Sequence, residues 1–480
     1  MTGPRSDKRI ERGDFQTPLP LAIEVMRKLA GEGRAPATVL EPTCGRGAFL
    51  RAAGEVFPEA TLIGLEIDAT YVEEARSLVP RASVEQADFF EVPWADRLRE
   101  LPAPILVAGN PPWVTSATLG AIRGANAPPK RNDDGLRGLD ARTGAANFDV
   151  SEWMLAALLD ALEGRDDTIA LLVKLSVVRK IVARCAKRSS AWVGSFHHID
   201  ARRHFGASVD AGLLTLWRAE RLDAPARWSV YEHLGAAEPS GFMAYTGSFV
   251  TADAGGYEQT RALESATPAG WRSGVKHDCA AVFELDVRDE ALFDATGRAV
   301  DIEGDVVFPL LKGADLLRGE VAPRRALIVP QRTLKSGADL ATTAPRADRY
   351  FSLHEAQLSA RKSSVYTGRP RHAIFGVGDY SFAPFKIATS GLAKRLGFAL
   401  VGPHRGKPVM LDDTCYFLPF WDERAAEQAL AALQSPAARS FYEARIAWDA
   451  KRPITKKVLD ALDLDAVRAH ASSGCTDRPS

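Results

Sequence analysis

Between residues 19 and 225, short apolar runs of strand length alternate with segments of helical periodicity, and this alternation constrains the fold more than any other feature. Parallel strands need a crossover of a dozen or more residues, usually a helix, so the pattern reads as successive βαβ units. Leu21–Leu29 carries apolar residues at helical spacing. Thr38-Val39-Leu40 follows as a buried strand, then a glycine-containing turn and a helix over Ala48–Val56. Leu62–Glu66, Ser83–Gln86 and Ile105–Ala108 are the next strands, with a helix over Tyr71–Leu78 between the first two. A helix over Val150–Leu162, a strand over Thr168–Leu172, a helix from Val177 and a late strand over Ala211–Trp217 complete the series. The expected fold class is α/β with a mostly parallel sheet.

The pattern then breaks. Arg221–Ala226 has the composition of a linker, and beyond it lie irregular β segments with many turns and a helix-rich tail from about Glu423. A first domain over 1–225 and a second, mixed α+β domain over 227–480 are expected, in keeping with about 100–200 residues per domain. The polar stretch Ser116–Ala146 is too long for a simple connection; it reads either as unstructured chain or as a loop contacting substrate.

Charge and cysteine content exclude several classes. Lys and Arg (61) balance Asp and Glu (61), so net charge names no partner. Five widely spaced cysteines without a C-x-x-C pair argue against zinc and against a disulfide framework. No metal is expected, and with no apolar run of about 18 residues no membrane span is expected either. The expected location is the cytoplasm.

Chemistry concentrates at the ends of the early strands. Asn110-Pro111-Pro112-Trp113 follows the fourth strand. An amide oxygen and a proline-held carbonyl can accept both hydrogen bonds of a planar NH₂, and the neighbouring aromatic can stack on a flat base. Glu41-Pro42-Thr43-Cys44-Gly45-Arg46-Gly47 lies at the first strand-to-helix turn, where glycines let the backbone approach a ligand. Glu66 ends the second strand, where an acid accepts ribose hydroxyls; Ile67 follows it, and Asp88-Phe89 follows the third strand. Together they describe an adenosine site beside an acceptor of an amino group.

In order and spacing these residues resemble the S-adenosylmethionine-dependent N6-adenine DNA methyltransferases of the γ order, the TaqI-like group. The resemblance implies a Rossmann-like class I methyltransferase domain followed by a target recognition domain. It assigns Thr17 and Pro18, within Gly13–Pro18, to the methionine end of the cofactor. Glu41, Pro42, Thr43, Cys44, Gly45 and Gly47 match the cofactor loop, Glu66 and Ile67 the ribose segment, and Asp88 and Phe89 the adenine contacts. Asn110, Pro111, Pro112 and Trp113 match the catalytic motif, with Trp where Tyr or Phe is commoner. Trp113→Tyr is therefore expected to be tolerated and Trp113→Ala not. Within His204–Ala207, Phe205 matches the ring that stacks on an extruded adenine, sandwiching it with Trp113. Ser273–Lys276, Phe308–Asp315, Phe385–Ala388 and Asp412–Tyr416 resemble elements of the recognition domain.

Two stretches are locally basic: Lys174 to His204, opposed only by Asp200, and Arg361 to Lys407, opposed only by Asp379. The second, with Lys362, Arg369, Arg371, Lys394 and Arg395, is the expected contact with DNA phosphates. Double-stranded DNA is the expected partner, with a separate restriction endonuclease or defence-system protein implied by the resemblance, and a monomer or weak dimer is expected. RNA, a protein glutamine amide, or a non-catalytic DNA-binding role remain as alternatives.

Overall fold

The structure is a computed structural model that describes residues 16–114, 149–219, 226–251, 253–333 and 339–473. It contains two compact units, residues 1–255 and 256–480. The stretch Ser116–Ala146 and most of the expected linker, 221–225, lie outside the described residues.

The first unit is built on a ten-stranded sheet. Its first part comprises α1 (Leu19–Gly31), β1 (Thr38–Glu41), α2 (Ala48–Val56), β2 (Thr61–Glu66), α3 (Ala69–Leu78), β3 (Ser83–Gln86), α4 (Trp94–Arg99) and β4 (Ile105–Gly109). After it come α5 (Val150–Ala161), β5 (Thr168–Lys174), α6 (Leu175–Lys187), β6 (Trp192–Ile199), α7 (Ala201–Phe205), β7 (Ala211–Arg218), β8 (Trp228–Tyr231), β9 (Gly241–Tyr245) and β10 (Val250–Thr251). The strand order is β10-β9-β8-β6-β7-β5-β4-β1-β2-β3. β1 pairs in parallel with both β2 and β4, with Leu40 opposite Ile63 and Val107. The strand order therefore reverses at β1, and the crevice beyond the carboxyl ends of β1 and β4 is where ligands bind in open α/β sheets.

β1, β4 and β5 are buried nearly throughout, as expected of parallel strands covered on both faces. One face packs Leu40, Ile63, Val107, Leu155, Ile181 and Trp192; the other packs Leu21, Val25, Phe49, Leu106 and Leu172. α1 buries Leu21, Ala22, Val25, Met26 and Leu29, the stripe read from its spacing. β6 has no counterpart among the expected strands: Trp-Val-Gly-Ser-Phe-His-His-Ile neither alternates cleanly nor forms an apolar run, yet it pairs with β7 along its whole length. The division between units falls 30 residues beyond the expected boundary at 225–227. The cause is hydrogen bonding: β8 pairs with β6 and β9 with β8, so this segment extends the first sheet.

The second unit holds two smaller sheets. Four strands, β11 (Arg272–Ser273), β16 (Phe385–Ser390), β17 (Ala399–Val401) and β19 (Cys415–Phe420), form one. β12 (Glu284–Arg288), β13 (Ala291–Phe293), β14 (Val307–Leu311), β15 (Arg325–Ile328) and β18 (Met410–Leu411) form the other. Helices over Glu423–Gln434 and Pro436–Glu443 cover the first of these with Leu433, Phe441 and Tyr442. Among the described residues no helix is long and apolar enough to cross a membrane.

Candidate active site

The loop from Glu41 to Gly47 turns at two glycines of positive φ, Gly45 at 50° and Gly47 at 80°. It is tied to the next strand by side chain and main chain. Glu66 Oε2 accepts the Gly45 N–H at 2.9 Å, Glu66 Oε1 accepts the Asp68 N–H at 2.9 Å, and the Cys44 N–H reaches Leu65 O at 2.8 Å. Thr17 and Pro18 lie beside this turn, because Gln16 Oε1 accepts the Arg46 N–H at 3.2 Å. The positive φ at Gly45 favours glycine; a Cβ there would also stand 2.8 Å from the same Gln16 oxygen, which the Gln16 side chain could relieve by moving.

Glu41 is buried beneath the crevice, 3% exposed. Its Oε2 accepts the Leu50 N–H at 3.1 Å. Burial pushes its carboxyl well above the usual range; the Leu50 amide opposes this and the charge of Glu66 adds to it. Burial also raises Glu66, against the amides of Asp68 and Gly45. Gly109, at φ 156°, passes directly over Glu41, where a Cβ would lie 3.2 Å from Glu41 Cγ. The close approach of β1 and β4 thus sets Asn110 beside the glycine loop.

Asn110 and Pro112 are half-buried, Pro111 and Trp113 buried. The Trp113 indole N–H donates to Leu172 O on β5 at 3.0 Å, and Lys174 Nζ donates to Trp113 O at 3.1 Å. The Trp113 ring meets Phe205 edge-on, centroids 5.1 Å apart. The two expected base-stacking rings therefore touch each other. A base held between them would need its two faces about 3.5 Å from each ring, or about 7 Å between the rings.

The expected contacts Phe89 and Ile67 differ in exposure. Phe89 is 4% exposed and packs on Trp94, with centroids 4.7 Å apart. The cause is local: Asp88 Oδ1 accepts the Phe90 N–H at 2.9 Å, and this turn sends Phe89 inward. Ile67, just after β2, is 39% exposed. A cleft of about 780 Å³ runs from Pro18, Leu21 and Glu24 to Asp200, Arg203 and His204, so the start of α1 and the Phe205 segment share one opening.

No family model matches the chain. It is 38% identical over 472 residues to the Type II methyltransferase M.NspV of Nostoc sp., covering 96% of this chain and 97% of that protein. The chain belongs to the Type II methyltransferases. Membership in this family supports a DNA methyltransferase of restriction–modification. A second relative, the Type II methyltransferase M.XamI of Xanthomonas campestris pv. amaranthicola, is 34% identical over 114 residues, 22% of this chain and 21% of that protein. Among solved structures, the chain resembles the Type IIL restriction-modification enzyme MmeI in complex with DNA, with TM-score 0.50 and 12% identity. That match covers 94% of this chain and 64% of MmeI, and at this identity it speaks for the fold alone.

In this Type II methyltransferase the basic stretches read from sequence are partly consumed by internal pairs. Lys180 pairs with Glu152, and Arg184 and Arg188 with Asp160, all across to α5. In the second unit Arg371 pairs with Asp348 and Glu355, and Lys394 donates to Trp448 O and Ala450 O. Lys362, Arg369 and Arg395 remain exposed, as does Lys394. Three segments of the second unit, Ser273–Lys276, Phe308–Asp315 and Asp412–Tyr416, meet. Gly274 N–H donates to Cys415 O and Gly313 N–H to Thr414 Oγ1; a Cβ at Gly274 would fall 2.0 Å from Asp412 O.

Proposed function

We propose that this Type II methyltransferase moves a methyl group from S-adenosylmethionine to the N6 amino group of an adenine extruded from double-stranded DNA. The observation that carries the proposal is the position of Asn110-Pro111-Pro112-Trp113 at the end of β4, over Glu41 and beside the glycine loop.

The residues present fit the cofactor. Thr43 Oγ1 is buried in the loop without a hydrogen-bond partner among the described residues, leaving polar capacity for a ligand. Glu66 would take the ribose hydroxyls on its remaining lone pairs, and Ile67 and Asp88 would hold the adenine. Thr17 and Pro18 would face the methionine end. When bound, the cofactor supplies an electrophilic methyl group. Asn110 and the Pro111 carbonyl accept the two N6 hydrogens of the target adenine and hold its lone pair in line, and this positioning carries much of the acceleration. Phe205 and Trp113 receive the base, offsetting the few kcal/mol that unstacking costs. The second unit is assigned to target recognition, with Lys362, Arg369 and Arg395 on phosphates. Labelled cofactor incubated with unmethylated duplex DNA, followed by nucleoside analysis, tests the proposal: N6-methyladenine supports it; 4-methylcytosine or methylation confined to RNA or protein contradicts it.

A further inference from the structure

We infer that Lys174 is a positioning residue for the Asn110–Trp113 segment, acting from the end of β5 on the main chain of Trp113; the inference rests on the proposed function above. The Lys174 ammonium donates to Trp113 O at 3.1 Å and is ion-paired with Asp149. Lys174 and Asp149 are themselves largely buried, their side chains 16% and 8% exposed, so the pair is shielded from the solvent that weakens surface ion pairs.

Asp149 is fixed in turn. Its Oδ1 accepts the Ser151 N–H at 3.1 Å and the Ser151 hydroxyl at 2.6 Å, capping α5. Alongside, the Val150 N–H donates to Val114 O at 2.9 Å. The chain leaving the tetrapeptide is thus joined to the start of α5 by one main-chain bond and one charged bridge. From the other side, Leu172 O holds the Trp113 indole at 3.0 Å. Trp113 is anchored at its side chain by Leu172 and at its carbonyl by Lys174, two residues apart on one strand. A carbonyl fixed three residues after Asn110 fixes the rotation of the segment in which the amide and the Pro111 carbonyl must both face one NH₂ group. Lys174 touches neither substrate nor cofactor in this account; its effect passes through the main chain.

The test uses the full-length protein with labelled cofactor and in vitro amplified duplex DNA, and compares Lys174→Met, Lys174→Arg, Asp149→Asn and Asn110→Ala. Misplacing a catalytic group by about 1 Å can cost about a hundredfold, so Lys174→Met is expected to lower kcat by about ten- to a hundredfold. KM for DNA and the affinity for S-adenosylhomocysteine should stay within about threefold of the parent, and Lys174→Arg should recover most of kcat. Asp149→Asn keeps the cap oxygen but removes the counter-charge, and should lower kcat several-fold; it carries the test if Lys174→Met does not fold. Parent-like kcat in Lys174→Met, or in Asp149→Asn should Lys174→Met not fold, overturns the inference while an inactive Asn110→Ala leaves the proposed function standing. Full activity in Asn110→Ala overturns both.

Discussion

The rings of Trp113 and Phe205 touch edge-on, with planes at 71° and centroids 5.1 Å apart. An edge-on pair of this kind is stabilising by about 0.5–1.5 kcal/mol beyond burial, so receiving a base between the rings means giving up that contact for two stacked ones. Stacking of a base on an aromatic is worth about 1–3 kcal/mol. Phe205→Ala should therefore reduce kcat/KM for DNA by about five- to a hundredfold while leaving cofactor affinity alone. Fluorescence of 2-aminopurine at the target position reads the same event directly, and its rise on binding should shrink in the variant.

Trp113→Tyr is a more demanding change than the motif alone suggests. The indole N–H is buried against Leu172 O, and tyrosine has no donor at that place on its ring. Loss of one such bond costs about 0.5–1.5 kcal/mol. Thermal unfolding should show the variant less stable than the parent, and Trp113→Phe should lose a similar amount. Unchanged melting temperatures would mean the bond contributes nothing.

Glu66 both fastens the Gly45 turn and is the proposed ribose acceptor. Glu66→Ala should weaken binding of S-adenosylhomocysteine by about ten- to a hundredfold, the worth of hydrogen bonds to a charged group. Calorimetric titration checks this; affinity within twofold of the parent would remove Glu66 from the ribose site.

Buried Glu41 has a folded-state pKa above its unfolded value, with desolvation the main cause. Its contribution to stability is therefore complete below the ordinary glutamate pKa of about 4.3 and is lost as pH rises through the raised value. Glu41→Gln removes the titration but keeps the shape. Urea midpoints at pH 5 and pH 8 should show the parent losing ground to Glu41→Gln as pH rises; a constant or growing advantage of the parent would contradict the sign.

Exposed and paired cations of the second unit should behave differently. Arg395→Ala should weaken DNA binding and reduce the salt slope by about one, as expected for a phosphate contact. Arg371→Ala removes two ion pairs with Asp348 and Glu355 and should lower the melting temperature with little change in slope.

Much of the first unit could be read from the sequence because its strands are buried on both faces and its helices carry one apolar stripe. Strands β1 to β5 lie within two residues of expectation. β6 escaped because a central strand flanked by other strands has no need to alternate, and at its Gly194 a Cβ would come within 2.7 Å of the Thr215 carbonyl oxygen. Charge was the less legible quantity. Between Lys174 and Arg188 the sequence offers no local acid, yet Asp149 at the cap of the preceding helix and Glu152 and Asp160 on it answer Lys174, Lys180, Arg184 and Arg188 in space. Phe89 is buried for a related reason: periodicity does not reveal which way an Asx turn sends the next side chain.

In the proposed function Asn110 directs methyl transfer to adenine N6 in duplex DNA. The most direct measurement is the nucleoside composition of unmethylated duplex DNA after incubation with the purified protein and methyl-labelled S-adenosylmethionine, for the parent and for Asn110→Ala. Label is expected in N6-methyladenine with the parent, and none with a variant that still binds S-adenosylhomocysteine. Label in any other nucleoside, or undiminished N6-methyladenine from Asn110→Ala, would contradict it.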